Sequence, residues 1–467
     1  MSDINENDIG AEILHSKKIL SSYGTGSLVS HLIDGVINFI LFYFYEAEVG
    51  LNSWLVALGL VIYALWDGVN DPLVGYITDR PFKFTKKWGR RFPWIILAYV
   101  PWLISFLLLF SPPNINAQEQ PWIMFGWLVG TLCLYDFLES VVTVNFNALF
   151  PDKFRGKSER LKASAFTVYI GFIGVVLGFI IPPMFIIYGN IGTFALVAWV
   201  CIAISFVCGV IMIPGVRDDK ANVEKYLAKH DKTQQFESFF KVLKQTIKQK
   251  SFLVFVIMYI LYLSLTHLMT SSLLYFDRYI LKSGMLTIIT LMLLLGGLVS
   301  IPFWLKLNKK FGDNRKTMIT GGIVMICSAS LFTVITDLTL VIIITFSFGF
   351  GVGGFWVMIE PVFSEVIDES IVTYEKRREG IYNGIRNFFA QFGKALQALT
   401  LATVHELTGF VEGSDTQTPL ALLGIQLHMG LIPATFMAIG IFVFWKFFDI
   451  TPDKAKQMKL KLIELKL

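Results

Sequence analysis

Apolar runs of membrane length recur along this 467-residue chain, and they leave few folds open to it. A helix rising about 1.5 Å per residue needs about 20 residues to cross about 30 Å of hydrocarbon. Lipid offers no hydrogen bonds, so each run must satisfy its backbone internally, which makes it a helix. On that scale the sequence predicts twelve spans, near 24–45, 54–78, 92–110, 122–150, 163–187, 192–213, 252–276, 285–305, 317–335, 338–362, 382–404 and 422–447. Composition supports the same reading. The chain is 54% hydrophobic and 16% charged, against roughly 45–50% and about 25% in a soluble domain. A disordered chain, a collagen and a small disulfide scaffold are excluded. What remains is an all-α, multi-pass membrane protein.

Cys133, Cys201, Cys208 and Cys327 fall inside apolar runs without metal-ligand spacing and read as small core residues. The polar N-terminal stretch MSDINENDIG lacks the short apolar core of a cleaved signal, so the first span is expected to be retained. Basic residues fix an orientation. With the N-terminus inside, 36 of the 40 lysines and arginines lie on the cytoplasmic side, and only Arg278 and Lys282 face outward. Both termini are therefore expected in the cytoplasm.

The long gap near 214–251 divides the chain into a six-helix bundle at 1–213 and a second at 252–467 with its cytoplasmic tail. The gap includes SFFKVLKQTIKQK (238–250), which reads either as a helix lying on the membrane surface or as a solvated linker. The halves echo one another. DRPFKFTKKWGRR (79–91) between spans two and three corresponds to KLNKKFGDNRK (306–316) between spans eight and nine. NALFPDKFRGKSERLKAS (147–164) after span four corresponds to EPVFSEVIDESIVTYEKRREG (360–380) after span ten. Parallel repeats of this kind are typical of a transporter architecture whose site lies between the halves near mid-membrane.

Ionisable groups inside spans cost about 2.5–3.5 kcal/mol each at a helix centre, so their placement is informative. Span one carries Ser27, His31, Asp34 and Asn38 on one helical stripe, and span two carries Asp67, Asn70 and Asp71, with Tyr63 one turn away. Span four carries Asp136, Glu139, Ser140, Thr143 and Asn147; span eleven carries Asn383, Asn387, Gln391 and Lys394, with Arg386 beside them. Four polar stripes point to an aqueous cavity between the halves. Structural readings stand beside this one. Asp71 could bond the helix ahead of Pro72, His31 could be a core histidine, and Asp136 could pair with a neighbouring helix. Arg386 could snorkel to the interface. Lys394 lies too deep for that and calls for an acidic partner. Glu360 and Glu365 suit a gate or loop, and the glycines of spans five and ten suit close packing.

No nucleotide-binding loop, metal cluster or nucleophile motif stands out, so the sequence reads as neither an enzyme nor an ATP-driven pump. The stretch DGVNDPLVGYITDRPFKFTKKWGRRFPW (67–94) resembles two patterns. Gly75, Asp79, Arg80, Gly89, Arg90 and Arg91 match the loop motif of the major facilitator superfamily. The DxxxDP spacing with the following WGRRFPW resembles the glycoside–pentoside–hexuronide:cation symporters, the family of the melibiose permease. SYG (22–24), FYFYEAEVGL (42–51) and RREGIYNGI (377–385) extend that resemblance over essentially the whole chain.

The resemblance implies that Asp67 and Asp71 bind the coupling cation, Na⁺ or H⁺, with Ser140 and Thr143 nearby. Two carboxylates one turn apart repel until a cation joins them, which is the physical basis of such a site. With the cation there, His31, Asp34, Glu139, Asn147, Gln391 and Lys394 are expected to contact the solute or relay charge. His31 stands in the place of a sugar-binding aspartate, Thr143 of a helix-four aspartate, Asn147 of a stacking tryptophan and Gln391 of a lysine, so galactoside specificity does not carry over. Asp79, Arg80 and Arg90 would form a cytoplasmic gate. The implied function is cation-coupled symport of a small polar solute, a sugar or glycoside, by a monomer in the cell membrane, with no cofactor and no nucleic-acid partner. Lysolipid transport on the same fold and a non-transporting receptor are the rival readings.

Overall fold

The computed structural model describes residues 15–80, 82, 84–219, 223, 245–375 and 379–464, and in these the chain is helical without strands. The first half contains α1 (Lys17–Tyr43), α2 (Ser53–Thr78), the short α3 (Thr85–Trp88), α4 (Phe92–Leu109), α5 (Pro121–Lys153), α6 (Lys157–Phe185) and α7 (Ile191–Val216). The second half contains α8 (Lys250–Tyr275), α9 (Leu286–Phe311), α10 (Asn314–Leu331), α11 (Leu338–Tyr374), α12 (Glu379–Thr408), α13 (Pro419–Met429), α14 (Leu431–Phe447) and α15 (Pro452–Glu464). Each predicted span coincides with helix, the last one broken at Gly430 between α13 and α14. Among the described residues, ten stretches are long and apolar enough to cross a membrane. Helices α10 and α12 fall outside that set, because basic residues open the one and a polar stripe runs along the other. Most of the sequence 238–250 lies outside the described residues.

Helices α1 and α8, first in their halves, both end in a π-helical turn, Phe44–Glu48 and Phe276–Leu281. This is a structural counterpart of the sequence echo. Widened turns of this sort commonly mark functional positions. Helices α5 and α11, with 33 and 37 residues, run on past membrane length into charged segments.

Two compact units result. One comprises Met1–Ile37, Trp66–Asn114 and Gly126–Gln234; the other comprises Asn38–Leu65, Ile115–Phe125 and Gln235–Leu467. The second unit thus takes in the end of α1 and the start of α2. Glycines permit the tightest packing within each unit. A Cβ on Gly174 of α6 would lie 2.1 Å from the Leu28 carbonyl oxygen of α1, and one on Gly349 of α11 would lie 2.1 Å from that of Leu293 in α9. Backbones approach this closely only where side chains are missing, as at small-residue helix interfaces in membranes. Apolar side chains such as Leu97, Val168, Trp199 and Val299 stay exposed, as suits surfaces in contact with lipid tails. The four cysteines are free; Cys201 is buried, and Cys327 is exposed rather than in the core.

Candidate functional site

In the first unit, α2 meets α5 through one buried amide. The Asn70 Nδ2 group donates to Asp136 Oδ2 at 3.0 Å, to the Asp136 carbonyl at 3.2 Å and to Ser140 Oγ at 2.9 Å. Asn70, Asp136 and Ser140 are each no more than 2% exposed. A carboxylate and a carbonyl can only accept, so the amide orientation follows from chemistry. The Asn70 Oδ1 atom is then left buried with no donor among the described residues. An orphan acceptor of this kind costs about 1–3 kcal/mol unless something occupies its lone pairs. Asp67, half-buried, lies one turn before both Asn70 and the exposed Asp71, which follows Asn70 directly in the helix.

The other first-unit candidates occupy less constrained places. Thr143 Oγ1 turns back to the Glu139 carbonyl at 3.0 Å, so its donor is satisfied within α5. Glu139 is half-buried and Asn147 exposed. His31 is exposed, with Nδ1 donating to the Ser27 carbonyl at 2.6 Å. It is therefore no core histidine. Gly171 of α6 packs beside it, where a Cβ would lie 3.2 Å from the Ser27 Cβ and in ordinary contact with the His31 ring. Asp34, one turn further on, is half-buried. Asp136 pairs with a neighbouring helix, as one reading of the sequence anticipated.

In the second unit, Lys394 has no ion pair among the described residues; its ammonium instead lies over the Tyr63 ring, 5.4 Å from the centroid. The expected acidic partner is thus replaced by a quadrupole, which attracts a cation without neutralising it. Gln391 keeps a buried Oε1 with no donor among the described residues. Three residues beyond Lys394, Gln397 donates to Ser271 of α8 at 3.3 Å, and Ser271 donates to the Asn38 carbonyl at 3.0 Å. Arg386 pairs with Glu360 of α11 at 2.7 Å and stacks over Phe363. It is held by protein rather than snorkelling.

The loop after α2 forms a charged node. Arg90 binds Asp79 at 2.8 Å, while Arg80 lies over the Tyr76 ring at 4.5 Å. The anchor is Arg91, only 4% exposed, which holds Asp79 at 2.5 Å and Asn145 of α5 at 3.1 Å. Burial disfavours ionised Asp79, but the Arg90 hydrogen bond and the fields of Arg91 and Arg90 outweigh it and hold the carboxyl below its usual range. Asp218 accepts from the backbone N–H groups of Arg91 and Phe92, both at 3.0 Å, capping the start of α4. The corresponding loop of the second half is tied similarly: Asp313 caps α10, and Asn314 donates to Glu365 of α11 at 2.7 Å.

Comparison with known proteins agrees with this architecture. The family model described as "MFS/sugar transport protein" matches residues 22–452, and the chain belongs to that family. A sodium-dependent lysophosphatidylcholine symporter 1 of Gallus gallus is 22% identical over 89% of this chain and 83% of its own length. A glucuronide carrier protein homolog of Escherichia coli is 20% identical, with 96% and 95% covered, and an isoprimeverose transporter of Lactiplantibacillus pentosus is 20% identical, with 94% and 91% covered. The nucleoside transporter NupG shares the fold at a TM-score of 0.65 and 12% identity, over 92% of this chain and all of that one (100%). The chain is a multi-pass transporter of the cell membrane, and its resemblance to the glycoside–pentoside–hexuronide branch is borne out by the two sugar-derivative carriers.

Sequence reasoning underrated two features. Arg91 was legible as part of the loop motif, but its role as buried anchor depends on Asn145, which is distant in sequence. The second is a buried polar chain built from Glu46, Tyr275, His405 and His428. Glu46, Tyr275 and His405 lie at or just beyond the edge of a predicted span, where a charged residue ordinarily reads as a loop, and His428 lies within the last one.

Proposed function

We propose that this chain is a cation-coupled symporter of a small polar solute, a sugar or glycoside, working by alternating access across twelve spans with both termini cytoplasmic. The observation that carries the reading is the orphan Asn70 oxygen on α2, one turn from Asp67 and next in sequence to Asp71. A Na⁺ ion would find two carboxylates and one amide oxygen there, all hard donors, and a proton would find two carboxylates whose repulsion it relieves. Ser140 holds the Asn70 amide in place and thereby aims the third oxygen. Asp34, His31, Glu139, Asn147, Gln391 and Lys394 supply the polar groups for solute recognition or charge relay. Asp79, Arg80 and Arg90, with Arg91, would latch the cytoplasmic side.

A second reading has its own support. The lysophosphatidylcholine symporter from Gallus gallus matches over most of both chains, so an amphiphilic solute is the principal competitor. Uptake into proteoliposomes separates the two. Accumulation of a glycoside, pentoside or uronide under an imposed Na⁺ or proton gradient supports the first reading, and accumulation of lysophosphatidylcholine alone supports the second.

A further inference from the structure

Glu46, in the π-helical turn that ends α1, is completely buried, and so are the groups around it. The Tyr275 hydroxyl donates to Glu46 Oε2. His405 Nδ1 lies 2.8 and 2.9 Å from the two carboxylate oxygens. His405 Nε2 lies 3.0 Å from His428 Nε2, and His428 Nδ1 lies 2.7 Å from Ser272 Oγ. A single file of hydrogen bonds therefore runs from Glu46 through two imidazoles to a serine, joining the end of α1 to α8, α12 and α13. The Ser272 hydroxyl is also 3.2 Å from the His428 carbonyl.

The donors and acceptors of this file can be assigned in two complete ways. In the first, Ser272 donates to His428 Nδ1, His428 Nε2–H donates to His405 Nε2, and His405 Nδ1–H donates to the carboxylate. In the second, His405 carries protons on both nitrogens and donates from Nε2 to His428. The His428 ring then donates from Nδ1 to Ser272, whose hydroxyl turns to the His428 carbonyl. Both ring nitrogens of each imidazole have a partner in both arrangements, and the two differ by one proton. The first holds one net negative charge; the second pairs a carboxylate with an imidazolium.

The neighbouring charges leave Glu46 to this file. Arg278 is engaged by Glu48 at 2.9 Å, the Tyr43 hydroxyl at 2.6 Å and Asp415 at 2.8 Å. Asp277 accepts from Ser283 at 2.7 Å, and Tyr279 donates to the Ser414 carbonyl. Glu412 receives Ser53 and Asn52, and Glu406 is exposed on α12. Further along α8, His267 lies in the field of Lys394. Phe410 stacks on the His405 ring, with centroids 4.3 Å apart, and shields it.

We propose that Glu46, His405, His428 and Ser272 form a proton-binding site, separate from the Asp67–Asp71 pair, that takes up one proton by reversing the polarity of the whole file. The balance is simple: a proton from water adds to the file, the His405–His428 and His428–Ser272 hydrogen bonds both change direction, the Ser272 hydroxyl turns to the His428 carbonyl, and no bond between heavy atoms forms or breaks. Since one end of the file sits on α1 and the rest on α8, α12 and α13, the bound proton favours the arrangement in which these elements stay packed.

The test uses the full chain, labelled with ¹⁵N-histidine, in phosphatidylcholine–phosphatidylglycerol nanodiscs between pH 5 and 8, with two of its six histidines assigned through His405→Gln and His428→Gln. The expected result is a single midpoint at which His405 Nε2 and His428 Nδ1 gain a proton together while His428 Nε2 loses one. Separate midpoints for the two rings, or one tautomer persisting throughout, would overturn the proposal. Glu46→Gln should move the midpoint down by about 1–3 pH units, because the carboxylate that favours the imidazolium is gone. Tyr275→Phe should move it upward by leaving that carboxylate less satisfied, and it provides the test should the Glu46 variant fail to fold. An unmoved midpoint in either folded variant also overturns the proposal. No solute or ion gradient is needed, so the outcome is independent of whether Asp67 and Asp71 bind a cation.

Discussion

One amide nitrogen of Asn70 reaches both Asp136 Oδ2, at 3.0 Å, and Ser140 Oγ, at 2.9 Å, and so fastens α2 to α5 beside the two aspartates of α2. Replacing it by leucine removes the amide that donates to Asp136 Oδ2 and to the Asp136 carbonyl. Asn70→Leu is expected to lower stability by about 1–3 kcal/mol, the usual cost of stranding a buried polar group. Thermal denaturation of the purified protein measures this. Cation-dependent transport should fall further than stability alone explains, because the third oxygen of the proposed site is lost with the amide.

Close helix packing gives a second prediction. A methyl group on Gly174 would meet the Leu28 carbonyl at 2.1 Å, whereas one on Gly126 meets nothing within 4 Å. Gly174→Ala should therefore force α1 and α6 apart and reduce the monodisperse yield. Gly126→Ala should be tolerated, or stabilise by up to about 1 kcal/mol through helix propensity. Size-exclusion profiles and melting temperatures of the two variants, prepared side by side, make the comparison.

The Asp79 node predicts a pH dependence of definite sign. Its carboxyl is held below the ordinary value of 3.8, so the stabilisation it brings is present above that value and is lost as pH falls through the folded one. Asp79 is half exposed, and solvent screening keeps the effect small. Melting curves between pH 6 and pH 3 should show wild type losing stability more steeply than Asp79→Asn at the acid end. Parallel curves for the two proteins would remove Asp79 from the account.

Lys394 and Tyr63 offer a fourth test. The ammonium lies 5.4 Å from the ring centroid, a contact worth about 0.5–1 kcal/mol at an accessible site and more when desolvated. Tyr63→Phe keeps the ring and should leave solute affinity close to wild type. Tyr63→Leu should weaken it several-fold, as read from the half-saturation concentration of uptake. Equal effects of the two substitutions would point to the hydroxyl instead.

Much of this was legible in the sequence, for a physical reason. Hydrophobic runs in lipid admit one backbone solution, so helix positions followed from apolar length, and stripes at 3.6-residue spacing identified Asp67, Asn70, Asp136 and Ser140 as sharing faces. Partners were not legible where they depend on which helices touch. Lys394 seemed to need an acid because charge is costly in hydrocarbon, yet an aromatic face meets it. Asn70 looked like one more polar residue of a stripe until its amide proved to have a fixed direction. Glu46 escaped notice because span prediction ends at the first charge, while the chain carries that charge inward on a π-helical turn and meets it with His405.

The central claim is that a cation held at Asp67 and Asp71 drives solute movement. It is tested most directly by uptake of glycosides, pentosides and uronides into proteoliposomes under separate Na⁺ and proton gradients, comparing wild type with Asp67→Asn. The account predicts accumulation under one of the two gradients and its loss in the variant. Equal uptake with neither gradient, or undiminished accumulation by Asp67→Asn, would contradict it.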